Sequence, residues 1–110
     1  LQLAVVGILR EWWSPLLLNN PAWVRGSEYQ AYAVLTMCRA LHTLQHDCIA
    51  SKPVAARWAQ ETLGERWAAL IAWALTWTHE TLSDQLNETL NFIRYTLERS
   101  QQFAMMMDKT

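Results

Sequence analysis

Arg39 and Lys52 stand thirteen positions apart, on either side of a turn between two expected helices. A guanidinium grips an oxyanion in a planar, bidentate way, and an ammonium acts as a mobile point charge. The pair is therefore a candidate for holding phosphate groups. The two helices are expected over 27–45 and 51–63, which puts Lys52 in the first turn of the second, where free backbone N–H groups favour anions. On a helical wheel Val34, Met37, Cys38, Leu41 and Leu44 gather on one side of the first helix. Tyr32, Thr36, Arg39, Thr43 and His46 gather on the other, with His42 at the margin. A solvated face is usually built from Lys and Glu, whereas these are specific hydrogen-bonding groups.

Other chemistry is weaker. His42 and His46 have the i, i+4 spacing of a zinc-binding helix, with Asp47 and Cys48 adjacent, but no second ligand cluster follows and no metal site is expected. No nucleophile–base pair, P-loop, G-x-G-x-x-G or pair of carboxylates on one helical face is present, so no catalytic residue is assigned. The seven tryptophans mostly recur at helical spacing, which predicts core packing. Trp23 differs, because it lies in the loop between Pro21 and Gly26, where its ring could stack on a ligand.

Five helices must position these residues. The first is expected over 1–13, with apolar residues at 1, 5, 9, 12 and 13 and Pro15 as its stop. Asn19-Asn20-Pro21 marks a turn. Ser27 and Gln30 have the spacing of a capping box for the second helix. Ser51 caps the third, Pro53 is tolerated in its first turn, and Gly64 closes it. The fourth is expected over 65–77. The fifth, over 83–105, carries a stripe of Leu82, Leu86, Leu90, Ile93 and Leu97 and ends in a frayed Met105-Met106-Met107. Short connections favour an all-α, antiparallel bundle of about five helices, a single domain over 1–110.

Composition sets the outer limits. An apolar fraction of 52% with three glycines suits a packed helical domain, and a net charge of −1 argues against nucleic acid as a partner. No apolar run reaches the roughly 18 residues needed to cross a bilayer, so no membrane partner is expected. Cys38 on the core face and Cys48 in a turn read as reduced thiols, which predicts a cytoplasmic protein. The chain opens on Leu inside a helical pattern, without a basic leader, and is expected to be the C-terminal part of a longer chain.

Residues 23–77 resemble the C-terminal helical domain of the aminoglycoside adenylyltransferases that modify streptomycin and spectinomycin. The resemblance is carried by Val34-Leu35-Thr36 with Arg39, the thirteen-residue step to Lys52, then Ala55-Ala56, Trp58-Ala59 and Glu61. It implies a nucleotidyltransferase whose N-terminal catalytic domain holds Mg and the catalytic base, while the helical domain closes over ATP and a small-molecule acceptor. Arg39 and Lys52 would contact the ATP phosphates, and Trp77 lies one residue from the family's nucleotide-side aromatic. Trp23, Glu28 and Tyr32 lie in the segment that contacts the drug. The family's acidic run is reduced here to Ser27-Glu28-Tyr29-Gln30, which weakens the case for a polycationic acceptor more than the case for ATP. A competing pattern, Arg39 with His46 after six residues, is similar to that of HEPN-type helical ribonucleases. A purely structural helical module is the third reading.

Overall fold

The computed structural model describes residues 1–19 and 22–108, with the side chains of Trp23 and Val24 left aside. Helix α1 (Gln2–Ile8) passes through a π-turn (Leu9–Trp13) into α2 (Ser14–Asn19), so that the three form one rod. A 3₁₀ turn (Ala22–Arg25) leads into the long α3 (Ser27–His46). Helices α4 (Lys52–Thr62), α5 (Glu65–Leu75) and α6 (Leu86–Asp108) complete an all-α bundle measuring 48 × 31 × 21 Å. The described residues include no strand.

The first rod departs from expectation, because Pro15 does not end it. Proline lacks an N–H and its ring clashes with the carbonyl four residues back in a regular helix. The π-turn widens the backbone just upstream, and the Ser14 N–H donates to the Leu9 carbonyl, one residue further back than usual. The rod then continues to Asn19. This shift also moves the buried face to Val6, Leu9, Trp13 and Leu16, leaving Leu1 and Trp12 exposed. The turn expected at Asn19-Asn20-Pro21 falls partly on residues 20 and 21, outside the described residues.

Helix α3 packs against α1, α4, α5 and α6 and is buried on most of its circumference. Val34, Met37, Cys38, Leu41 and Leu44 are buried as expected, and Ala31, Ala33, Ala40 and Thr43 join them. Thr43 therefore leaves the polar face assigned to it. It is covered on that flank, and its hydroxyl donates to the Cys48 carbonyl at 3.0 Å. Alanines 55, 56 and 59 of α4 lie fully buried, and their small side chains let neighbouring helices approach closely. Burial pushes the Cys38 thiol up to about 12, which makes it a packing group rather than a nucleophile.

At the start of α3 the capping box does not form. Gly26 is the N-cap, and the Ser27 hydroxyl accepts a hydrogen bond from the Trp77 indole at 2.9 Å. Gln30 is fully buried instead. Its Nε2 donates to the Arg25 carbonyl at 3.0 Å, and its Oε1 accepts from the Gln85 N–H at 2.9 Å. One amide thus ties the 3₁₀ turn to the approach of α6. Ser51 does cap α4, and Gly64, at φ +85, takes a positive-φ backbone conformation open chiefly to glycine between α4 and α5. Helix α6 is shifted three residues from its expected span and runs through Met105-Met106-Met107, which are helical rather than frayed. Ile93 and Leu97 of its stripe are buried, but Leu82 precedes the helix and is fully exposed. Thr89, Phe92, Thr96 and Ser100 fill the remaining buried positions.

Replacing Gln30 with Ala should cost about 1–3 kcal/mol, since the Gln85 N–H and Arg25 carbonyl both lose their partner. Chemical denaturation of Gln30→Ala beside the exposed-site control Gln101→Ala tests this. A loss no larger than the control's would show that the amide bridge does not stabilise the fold.

Candidate functional site

Two cations reach the same side of α3 by different routes. The Arg39 Nε donates to the Ala50 carbonyl at 3.0 Å, which draws the guanidinium toward the loop between α3 and α4. Two residues further on, Lys52 opens α4, and its Nζ lies over the Tyr32 ring, 4.9 Å from the centroid. Tyr32 and Arg39 are separated by two helical turns, about 10 Å along the axis, and share a face. Neither cation is paired with a carboxylate among the described residues. Arg66 shows the contrast: it forms a bidentate pair with Glu88 and stacks on Trp67, a closed arrangement that holds α5 to α6.

The backbone donors expected at the start of α4 are largely in use. Pro53 has none, the Val54 N–H donates to the Ser51 hydroxyl, and the Ala55 N–H to the Ser51 carbonyl. An anion at this position would be held by side chains rather than by the helix terminus.

Toward the N-terminal end of the same face, Glu28, Tyr29 and Tyr32 line an open hollow of about 650 Å³ with Trp12 and Gly26. Tyr29 and Tyr32 lie 5.4 Å apart by ring centroids, and Trp13 supports both from beneath at 6.2 and 6.3 Å. Burial raises the Tyr29 phenol above its usual range, partly offset by a hydrogen bond with the Trp12 side chain. Toward the other end, Thr36 and Arg39 border a groove of about 260 Å³ walled by Ile8, Trp13 and Ile49. The strip thus runs from the Glu28 carboxylate, through aromatic rings with the Lys52 ammonium over one of them, to the Arg39 guanidinium.

The sequence-assigned residues do not all converge. Glu28, Tyr32, Arg39 and Lys52 share this strip. Trp77 is fastened to Ser27, about 18 Å along α3 from Arg39 and on the flank facing α5. The Trp23 side chain lies outside the described residues. Trp12 and Tyr29 were not singled out from the sequence. The Trp12-Trp13 pair did carry a signal, because neighbours on a helix point about 100° apart and cannot both enter one core.

His42 and His46 form a separate cluster at the far end of α3. Their rings lie 4.5 Å apart, and both meet Trp58 edge-on at 5.2 and 5.5 Å. His46 is thus in a ring cluster with His42 and Trp58, whereas Arg39 is bonded to the Ala50 carbonyl. Among the described residues no three His, Cys, Asp or Glu side chains come together as a metal would require. No described helix is long and apolar enough to cross a membrane.

The architecture is that of an all-α domain with one long, mostly enclosed helix and a polar strip along its uncovered side. Residues 13–102 match the family model described as aminoglycoside adenylyltransferase, C-terminal domain, and the chain belongs to that family. Comparison with curated proteins and with solved structures gave no match.

Burial and the nearby His46 hold the His42 imidazole below its ordinary value of 6.5. The unfolded chain therefore takes up this proton more readily than the folded one. The stability contributed by neutral His42 is complete above pH 6.5 and declines as the pH falls toward its lowered value in the fold. The melting temperature should drop on moving from about pH 7.5 to about pH 5.5, and His42→Gln should drop less. Equal drops in the two proteins would place the acid sensitivity elsewhere.

Proposed function

We propose that this domain supplies nucleotide and acceptor contacts in an adenylyltransferase that moves AMP from ATP to a hydroxyl of an aminoglycoside or similar small molecule. The observation that carries the reading is the pair Arg39 and Lys52, held on one side of α3 by a carbonyl and an aromatic ring rather than by carboxylates. Both charges therefore stay available to a polyphosphate. The domain's contribution would be positioning and charge neutralisation as negative charge shifts onto the leaving pyrophosphate.

The Glu28–Tyr29–Tyr32–Trp12 hollow suits the acceptor, with a carboxylate for an ammonium and ring faces for the apolar side of a sugar. Trp23 and Trp77 are carried as acceptor-side and nucleotide-side candidates on the family pattern alone. Magnesium would be held by carboxylates of an N-terminal catalytic domain, and that domain would be the partner of the strip described above. The partners proposed are thus that domain and the small-molecule acceptor, with neither nucleic acid nor membrane among them.

In the full-length protein, Arg39→Ala and Lys52→Gln should each raise the KM for ATP by about tenfold, the scale of one lost charge-assisted hydrogen bond. Steady-state kinetics at saturating acceptor measures this. Unchanged ATP dependence in both variants would remove the phosphate assignment. Glu28→Gln should act on the KM for the acceptor and leave that for ATP near the wild-type value.

A further inference from the structure

Lysine has a flexible four-carbon stem, and an exposed one samples many rotamers. Lys52 is nevertheless half-buried, with its ammonium over the Tyr32 ring. Tyr32 itself is 45% exposed, too open to serve mainly as core packing. Its ring is braced from two directions, by Tyr29 at 5.4 Å and by Trp13 at 6.3 Å. Trp13 is in turn fixed in the core, at 3% exposure. The aromatic platform is therefore rigid, whereas the charge above it is on a mobile arm.

We infer that Tyr32 is a positioning residue for Lys52. Its ring face holds the ammonium on the α3 strip, so that the second cation of the proposed phosphate site is already ordered before a nucleotide arrives. The inference rests on the anion-binding reading of Arg39 and Lys52 and assigns Tyr32 a role on the nucleotide side besides its acceptor-side placement. A cation over a ring is covered on one side only, and its N–H donors on the open side remain free for phosphate oxygens. The lysine can thus bind an anion without leaving the ring. The attraction comes from the ring's quadrupole, so phenylalanine should serve nearly as well and an aliphatic side chain should not. Arg39 is ordered by a different means, its bond to the Ala50 carbonyl, and should not depend on Tyr32.

Two measurements on the full-length protein test the role. The first needs no ligand: the Lys52 ε-methylene protons should show an upfield ring-current shift by NMR, kept in Tyr32→Phe and lost in Tyr32→Leu. The second is ATP affinity by calorimetry in a double-mutant cycle. Tyr32→Leu should weaken ATP binding about two- to fivefold when Lys52 is present and have no further effect in Lys52→Gln. Tyr32→Phe should bind ATP like the wild type. Equal losses from Tyr32→Leu in both backgrounds, or an unshifted Lys52 signal in the wild type, would overturn the positioning role while leaving the anion site intact. ATP affinity unmoved by Lys52→Gln would overturn the anion reading itself, and the positioning role with it.

Discussion

Packing around α3 is the constraint from which the other features follow. A helix with a single buried face can put polar groups almost anywhere on the opposite side. α3 instead meets α1, α4, α5 and α6, so most of its circumference must be apolar or small. Alanines at 31, 33 and 40 satisfy that demand without forcing the neighbouring helices apart. The strip from Glu28 through Tyr32 and Thr36 to Arg39 is what the neighbours leave uncovered. Side chains there are supported by a helix that cannot easily rotate or shift, which is the condition under which a few polar groups can hold a fixed geometry.

The π-turn in the first rod serves the same strip from the other side. It lets the chain pass Pro15 without breaking and rotates the buried face so that Trp13 points inward and Trp12 outward. Trp13 then underlies Tyr29 and Tyr32, and Trp12 becomes a wall of the hollow above Glu28. A local irregularity of backbone thereby decides which of two identical neighbouring side chains packs and which stays exposed. π-turns interrupt the regular ladder of a helix, and the effect of this one is geometric.

The helices themselves were legible because strong periodic signals and good punctuation mark them. Ser51, Pro53 and Gly64 delimit α4 on both sides, and the apolar pattern of α3 names its five largest buried apolar residues correctly. What failed was local competition. Ser27 and Gln30 have capping-box spacing, yet each found a distant partner in three dimensions, Trp77 and Gln85, that no short-range pattern reveals. Pro15 reads as a stop because the rule assumes regular hydrogen bonding, which the π-turn suspends. In α6 the buried hydroxyls of Thr89, Thr96 and Ser100 look polar in sequence, although Thr96 satisfies its own hydroxyl on the Phe92 carbonyl at 2.9 Å. Of the site, Arg39, Lys52, Glu28 and Tyr32 were visible as residue types at suggestive spacing. Only the arrival of Lys52 on the face of Tyr32 and Arg39 depended on the loop at 47–51 folding back along α3, a tertiary fact.

The chemistry of a cation depends on what already surrounds it. Arg66 stacks on Trp67 and is neutralised by Glu88, whose carboxyl is held below its usual range by that guanidinium. Such a pair stiffens an exposed seam and has little attraction left for a third charge. Arg39 and Lys52 are ordered just as specifically, but by neutral groups, a peptide carbonyl and a phenol ring. A neutral partner fixes position without cancelling charge. That combination is poor as a stabilising device, because two like charges are brought to one face with no carboxylate paired to either among the described residues. It suits the proposed reading, in which the counter-ion is supplied from outside and a polyphosphate would meet two cations that are already ordered.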